Sequence, residues 1–319
     1  MSIFQPSSRL QLPRIPQHDP SSTIMSLLYY LYLKFAATLV RAIVRLRGAI
    51  RSSPDVTQRI PSRDPSRTIK AHLYRSTQST PQTPSPVLIN FHGSGFMIPA
   101  HGSDDAFCRR ISQQTAYSVL DVQYRLSPEH PFPAPVHDVE DVVKWVLSQP
   151  EEYDVSRVAI SGFSAGGNLA LVAASYLFPP TTFHAVLAFY PSVAPYIDPG
   201  TLLAPQPGGR PLPTFLLRLF RHCYIPSGVD ARDPRLSPGL ADADRFPRNV
   251  LIITAGYDTL ACEAEKLATR LAADANRHVV HARMDQCDHA WDKIAREGTR
   301  GWELKEQAYA LAVDMLCRP

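Results

Sequence analysis

This sequence predicts an α/β protein with a mainly parallel sheet and helices on both faces, and three observations carry that prediction. From residue 68 to the C-terminus, short apolar runs alternate with segments of helical spacing, the pattern of strands joined by crossover helices. Chemistry-bearing residues fall directly after several of the strands, where an open parallel sheet gathers its ligands. The chain has 319 residues, 45% hydrophobic and 19% charged, which suffices for one large core or two modest ones.

The elements follow in order. Residues 1–20 carry Pro6, Pro13, Pro16 and Pro20 and read as a loose arm. Ile24–Leu46 has the length of a membrane span, but Lys34, Arg41 and Arg45 interrupt it, and a span needs about 20 predominantly apolar residues. At the helical 100° per residue these three charges fall within about 40° of one another, giving an amphipathic helix with one basic stripe. Such a helix can cap a site or lie on a membrane surface, and both readings stand. A cleaved secretory peptide does not fit, because the charged n-region is missing and the apolar stretch starts too far along.

A linker is expected at 48–66. Thr68–Tyr74 alternates as an edge strand, Pro86–Phe91 is a short apolar strand before a glycine loop, and Tyr117–Tyr124 is a third strand. Residues 128–135 form a rigid proline-rich loop, and Asp138–Leu147 has helical apolar spacing. Arg157–Ile160 reads as a buried strand, Gly167–Ala174 as a small-residue helix and His184–Tyr190 as a strand. A long proline-rich stretch covers 191–247. The strand Asn249–Ala255, the helix Ala261–Ala273, the strand His278–Met284 and the helix Glu303–Leu316 complete the chain. No internal repeat is visible.

Composition narrows the function. The net charge is +4, and Lys and Arg are dispersed beyond the N-terminal third, so there is no nucleic-acid footprint. The five cysteines (Cys108, Cys223, Cys262, Cys287 and Cys317) lack framework spacing and read as reduced thiols of an intracellular, cytoplasmic protein. No pair is spaced C-x-x-C and no H-E-x-x-H occurs, so neither a metal nor another cofactor is expected.

The densest signal is Gly162-Phe163-Ser164-Ala165-Gly166. A G-x-S-x-G arises by chance in roughly one chain of this length in twenty, so alone it proves little. Here it lies between a strand and a helix, the setting of a nucleophile elbow that holds a serine Oγ exposed on a tight turn. A serine hydroxyl needs a base, and the imidazole needs an acid to fix its tautomer, in the chain order Ser, Asp or Glu, His. Asp258 follows the strand Asn249–Ala255, and His289 follows His278–Met284. Glu263, Asp285 and Asp288 compete with Asp258, but Glu263 should lie inside a helix and Asp288 adjoins His289, where side chains diverge. His130, His137, His278 and His281 fit worse than His289 and read as structural or surface groups. His92-Gly93-Ser94-Gly95 follows a strand and supplies donors for an oxyanion: the N–H groups of Ser94 and Gly95, with Ala165 as the third. His92 is expected to anchor that loop by hydrogen bonding, with Gly93, Gly162 and Gly166 as supporting glycines.

These segments resemble the α/β-hydrolases of the hormone-sensitive lipase group, which includes arylacetamide deacetylase and many microbial carboxylesterases. The matching stretches are Phe91–Phe96, Tyr124–Ala134 (Tyr-Arg-Leu-Ser-Pro-Glu-His-Pro-Phe-Pro-Ala), Ser161–Asn168, Asp233–Pro238 and Gly256–Leu260. They run in family order from about residue 86 to the C-terminus. The resemblance implies a mostly parallel eight-stranded sheet flanked by helices, with a catalytic core over 51–191 and 237–319 and a helical cap over 21–50 and 192–236. It implies a triad of Ser164, Asp258 and His289, with Arg125 and Glu129 in structural ion pairs. Phe215–Phe220 would form a cap helix, its aromatics lining an acyl pocket or packing the cap.

Three positions depart from the family pattern. Ser94 replaces the middle glycine of HGGG, Phe163 stands where Asp or Thr is usual, and Cys262 replaces a frequent second acid. With the proline content, the first two are similar to hydrolases of fungal natural-product clusters. The implied activity is a serine carboxylesterase that works through an acyl-enzyme on a small to medium ester, such as an acetylated or polyketide-type natural product. Acyl transfer, thioester release or cyclisation would use the same groups. A non-catalytic receptor, as in the plant gibberellin receptors similar to this family, is the alternative of another class, and there the catalytic histidine is lost.

Overall fold

The computed structural model describes residues 20–46, 48–80 and 83–318. The arm expected over 1–20 lies outside them except for Pro20, which opens the first helix. Eight strands form one sheet: β1 (Val56–Pro61), β2 (Thr68–Tyr74), β3 (Ser85–Phe91), β4 (Ser118–Val122), β5 (Tyr153–Phe163), β6 (Ala185–Phe189), β7 (Asn249–Ala255) and β8 (His278–Met284), in the order β1-β2-β4-β3-β5-β6-β7-β8. β2 pairs antiparallel with β1 and β4, and every later pairing is parallel.

Seven α-helices complete the described chain: α1 (Pro20–Leu46), α2 (Asp105–Gln114), α3 (Ala134–Leu147), α4 (Ala165–Val172), α5 (Thr214–Tyr224), α6 (Ala261–Ala272) and α7 (Arg300–Leu316). Successive strand residues feed opposite layers, as the two-residue period requires. Val186 and Ala188 of β6, with Val250 and Ile252 of β7, pack with α3, α4 and α6. Ala185, Leu187, Phe189, Leu251 and Ile253 pack with α2 and α7 on the other face.

Two expectations need correction. The linker at 48–66 contains β1, which pairs with β2 from Val56↔Leu73 to Pro61↔Thr68. Ile60 is its one buried residue, so this edge strand has no alternating apolar signal to read. No element is predicted over 105–114, where α2 lies. Its inward face is Phe107, Cys108, Ile111 and Ser112, too mixed to register as an apolar stripe.

α1 rests on the body through Leu33 and Ala37, which pack with Met97 and Cys223. Arg41 leaves the expected basic stripe and turns inward. It donates to both carboxylate oxygens of Glu129 at 2.8 Å, to Ser127 O at 2.8 Å and to Met97 O at 3.0 Å. Arg125 pairs with the buried Asp138 at 2.8 Å. The loop between β4 and α3 has cis peptide bonds before Pro128 and Pro133.

Candidate active site

β5 ends at Phe163 and the chain turns at Ser164, whose φ of 52° and ψ of −113° lie where residues with a Cβ are rarely found. The turn is held from both sides: Ser164 N–H donates to Phe189 O at 2.8 Å, and Ser164 O accepts from Asn168 N–H at 3.0 Å. The flanking glycines are steric necessities. A Cβ on Gly162 would lie 2.2 Å from the Gly166 backbone, and one on Gly166 would lie 1.9 Å from Phe91 O. Small residues therefore let the wholly buried α4 start hard against β3 and β5.

The structure brings Ser164, His289 and Asp258 together. Nε2 of His289 stands 2.9 Å from Ser164 Oγ, and its Nδ1 stands 2.7 Å from Asp258 Oδ2. A carboxylate only accepts, so Nδ1 carries the proton and Nε2 presents its lone pair to the hydroxyl. Asp258 is buried, and its Oδ1 accepts from Leu260 N–H at 3.0 Å. The Tyr190 ring meets His289 edge-on at 4.8 Å and donates its hydroxyl to Asp292 at 2.7 Å, fixing the imidazole plane. Three of the rivals are engaged elsewhere. Asp288 accepts from Arg210 N–H at 2.5 Å, Glu263 pairs with Lys266 at 2.7 Å, and His281 Nε2 lies 3.1 Å from Thr254 Oγ1.

Gly93, Ser94 and Gly95 line the same cavity as Ser164 and Ala165. Among the described residues, the N–H groups of Ser94, Gly95 and Ala165 have no hydrogen-bond acceptor. Tyr124 braces the loop from behind: its hydroxyl donates to His92 O at 2.7 Å, which leaves the Ser94 hydroxyl as donor in their 2.6 Å contact. His92 stacks on the Tyr124 ring at 4.5 Å, and burial pushes its pKa down to about 4. Among the described residues its imidazole has one hydrogen-bond contact, a long 3.3 Å to Gly93 O, so the ring is held mainly by stacking. Gly95 has φ +55° and gives way to the Phe220 ring, which a Cβ would meet at 2.5 Å.

The sequence reading missed the groups behind the elbow. Lys293 lies 3.5 Å from the centroid of the Phe163 ring and pairs with Asp104 at 2.8 Å and Asp292 at 2.9 Å. Burial opposes its charge, but the two carboxylates outweigh burial and raise its pKa. The polar support that Phe163 cannot give is thus replaced by a cation over its ring. Gln206, in the long stretch after β6, ties together the loops that carry the acid and the imidazole. Its N–H donates to Gly256 O at 2.9 Å and its Oε1 accepts from Gln286 N–H at 2.9 Å. Only the charged pair Asp292-Lys293 soon after His289 hinted at the first feature, and nothing hinted at the second.

Among the described residues one group could ligate a metal by residue type: His72, His101 and Asp121, whose ligating atoms lie within 4.8 Å of one another. Nε2 of His101 is committed to Asp121 O at 3.0 Å, and the carboxyl of Asp121 accepts from Asn90 and Gly102. Burial raises the Asp121 pKa and lowers that of His101.

The cavity holds about 610 Å³ and is lined mainly by apolar side chains, with Val40, Ile43 and Val44 of α1 facing Phe215, Leu216 and Phe220 of α5. Ser164 and His289 lie in its wall.

Residues 88–293 match a family model described as alpha/beta hydrolase fold. Esterase LipI of Mycobacterium tuberculosis is 31% identical over 215 residues, spanning 64% of this chain and 65% of that protein. Ethyl acetate hydrolase of Pseudomonas putida is 30% identical over 207 residues, 60% of this chain and 62% of its own length. The chain therefore spans just under two thirds of these curated relatives. Among solved structures, EstE1, a thermostable carboxylesterase from a metagenomic library, aligns with a TM-score of 0.73 and 28% identity over 90% of this chain and 98% of that one. The Pyrobaculum calidifontis esterase aligns with a TM-score of 0.70 and 26% identity over 92% of both chains.

Proposed function

The chain belongs to the alpha/beta hydrolase fold family, in its hormone-sensitive-lipase-like group, and from that premise we propose that it is a serine carboxylic-ester hydrolase acting through an acyl-enzyme. The observation that carries the proposal is the unbroken contact chain from Ser164 Oγ through His289 to Asp258, at 2.9 and 2.7 Å, opening into an apolar cavity. Nε2 of His289 takes the hydroxyl proton as Oγ attacks the ester carbonyl, and Asp258 stabilises the imidazolium. The oxyanion faces the N–H groups of Ser94, Gly95 and Ala165, the last at the positive end of α4. Each such donor contributes about 3 kcal/mol in comparable sites. The imidazolium then protonates the departing alkoxide. Water enters, His289 takes its proton, and the hydroxide attacks the acyl carbonyl to release the acid and restore Ser164.

The volume and apolar lining of the cavity support a small to medium ester with apolar groups as the substrate. The short ester named for the Pseudomonas relative supports the lower end of that range. α1 and the segment 192–236 serve as a cap in this reading, which is supported by the side chains that both contribute to the cavity lining. A receptor reading is disfavoured by the placement of His289, which has the position and free lone pair of a working base.

Ser164→Ala is the direct test. The variant should lose hydrolysis of short-chain p-nitrophenyl esters and labelling by a fluorophosphonate, with its fold intact by circular dichroism. Comparable ester turnover by the variant would refute the proposal.

A further inference from the structure

A helix docked on a globular body normally turns its polar side to water, and α1 does not. Leu33, Ala37, Val40 and Val44 face the body or the cavity. On the opposite side Leu28, Leu31, Tyr32, Phe35, Leu39 and Leu46 fall within a sector of about 100°, at 3.6 residues per turn. All six are exposed, Phe35 by 72% and Leu46 by 88%. A continuous apolar face of this kind marks a surface that something covers.

We propose that this outer face of α1 docks on a lipid bilayer bearing anionic headgroups, with the helix lying in the interface. Charge selects this occupant. Between Asp19 and Asp55 the sequence has no acidic residue and five basic ones. Lys34 and Arg45 are both exposed and flank the apolar sector on one side, where anionic headgroups would pair with them. A second copy of the chain, packed antiparallel through the same face about a two-fold axis, would bring these cations towards their equivalents with no acid on the helix to pair them. Tyr32 adds a ring of the amphipathic kind that settles at headgroup depth.

The helix lies on the bilayer and does not cross it. Arg41 is held by Glu129, Ser127 and Met97, and Leu33 and Ala37 are packed on the body. Spanning would strip all of these contacts and leave Arg41 in hydrocarbon. Val40, Ile43 and Val44 of the same helix wall the cavity, and the exposed Phe215 of α5 lines it too. Docking therefore sets the cavity wall beside the acyl region. The docking stands independently of the esterase reading.

Flotation of the full chain with vesicles tests this. The protein should float with phosphatidylcholine vesicles containing phosphatidylserine, bind phosphatidylcholine alone more weakly, and be released by alkaline carbonate. Phe35→Glu with Leu39→Glu should lower binding by roughly tenfold or more on both vesicles. Lys34→Glu with Arg45→Glu should lower it roughly tenfold on the anionic vesicles only. None of these positions lines the cavity, so hydrolysis of a soluble short ester should stay at the wild-type rate. That assay separates failure of docking from failure of the esterase proposal. Docking is overturned by absence of flotation, by flotation insensitive to these changes, or by resistance to carbonate. It is equally overturned by a dimer in light scattering that Phe35→Glu dissociates.

Discussion

Nδ1 of His289 stands 2.7 Å from Oδ2 of Asp258, while the other oxygen of the same buried carboxylate accepts from Leu260 N–H at 3.0 Å. Both oxygens are therefore assigned, and an amide at 258 has only one way to fit. In Asp258→Asn the carbonyl oxygen must keep the Leu260 N–H, which turns the NH2 towards Nδ1. The imidazole then carries its proton on Nε2 and cannot accept one from Ser164. Turnover should fall by about 10³- to 10⁴-fold with little change in KM or melting temperature, measured by steady-state kinetics and thermal unfolding.

The elbow glycines predict a contrast between two Gly→Ala changes. At Gly166 the new Cβ would lie 1.9 Å from Phe91 O, a backbone atom of the neighbouring strand that cannot yield cheaply. Gly166→Ala should cost about 3 kcal/mol or more, or leave the protein insoluble. Gly301, in the first turn of α7, has nothing closer than 3.9 Å to its Cβ position. Gly301→Ala should be neutral or stabilise by up to about 1 kcal/mol in urea denaturation. A similar loss at both sites would mean that the crowding around Gly166 is not what requires glycine.

That contrast also indicates what the sequence made legible. Gly162, Ser164, Gly166 and Asp258 sit at or just after the ends of strands with buried apolar runs, and His289 follows the more polar β8, so local patterning located them and the parallel topology brought them together. The same logic failed for β1, where a single inward residue carries no period. It failed again for Lys293, Asp104 and Asp292, where the start of α2 and the turn at 291–293, far apart in sequence, meet behind Phe163. Gln206 is invisible for a further reason: its role is to bridge two loops, and no local spacing encodes that. Patterning reads elements and their ends; it does not read contacts between charges far apart in sequence.

Tyr124 should matter more than Ser94 to the loop that carries the N–H donors. Ser94→Ala removes a hydroxyl but leaves the hydrogen bond from Tyr124 to His92 O at 2.7 Å. Tyr124→Phe removes that bond and strands both the carbonyl and the Ser94 hydroxyl in a buried place, at about 1–3 kcal/mol per unsatisfied group. Turnover of Tyr124→Phe should drop about tenfold, through loss of donor alignment, while Ser94→Ala stays within about threefold of wild type. Equal losses in kcat would argue against the brace.

Lys293 is the cation for two buried carboxylates. Lys293→Met keeps much of the side-chain volume but leaves Asp104 and Asp292 without a counter-charge, a change that costs about 3–5 kcal/mol at buried pairs. The melting temperature should fall sharply at pH 7 and recover in part at acid pH, as the stranded carboxylates take up protons. A variant as stable as wild type at pH 7 would show that the pairing adds nothing to the core behind the elbow.

The Arg41–Glu129 pair predicts a pH signature for the docking of α1. Its hydrogen bond from Arg41, outweighing burial, holds the Glu129 pKa below the usual carboxylate range. A folded pKa below the unfolded one gives stability that is complete above the unfolded value of about 4.3 and is lost as pH falls through the folded value. Glu129→Gln should therefore be less stable than wild type by about 1 kcal/mol at pH 7, a gap that holds down to about pH 5 and closes in stronger acid. Urea denaturation at pH 7, 5 and 3.5 measures it. Because Val40, Ile43 and Val44 on the same helix wall the cavity, the variant should also raise KM at pH 7 with kcat little changed. A stability gap that persists unchanged at pH 3.5 would assign the effect to side-chain shape and not to charge.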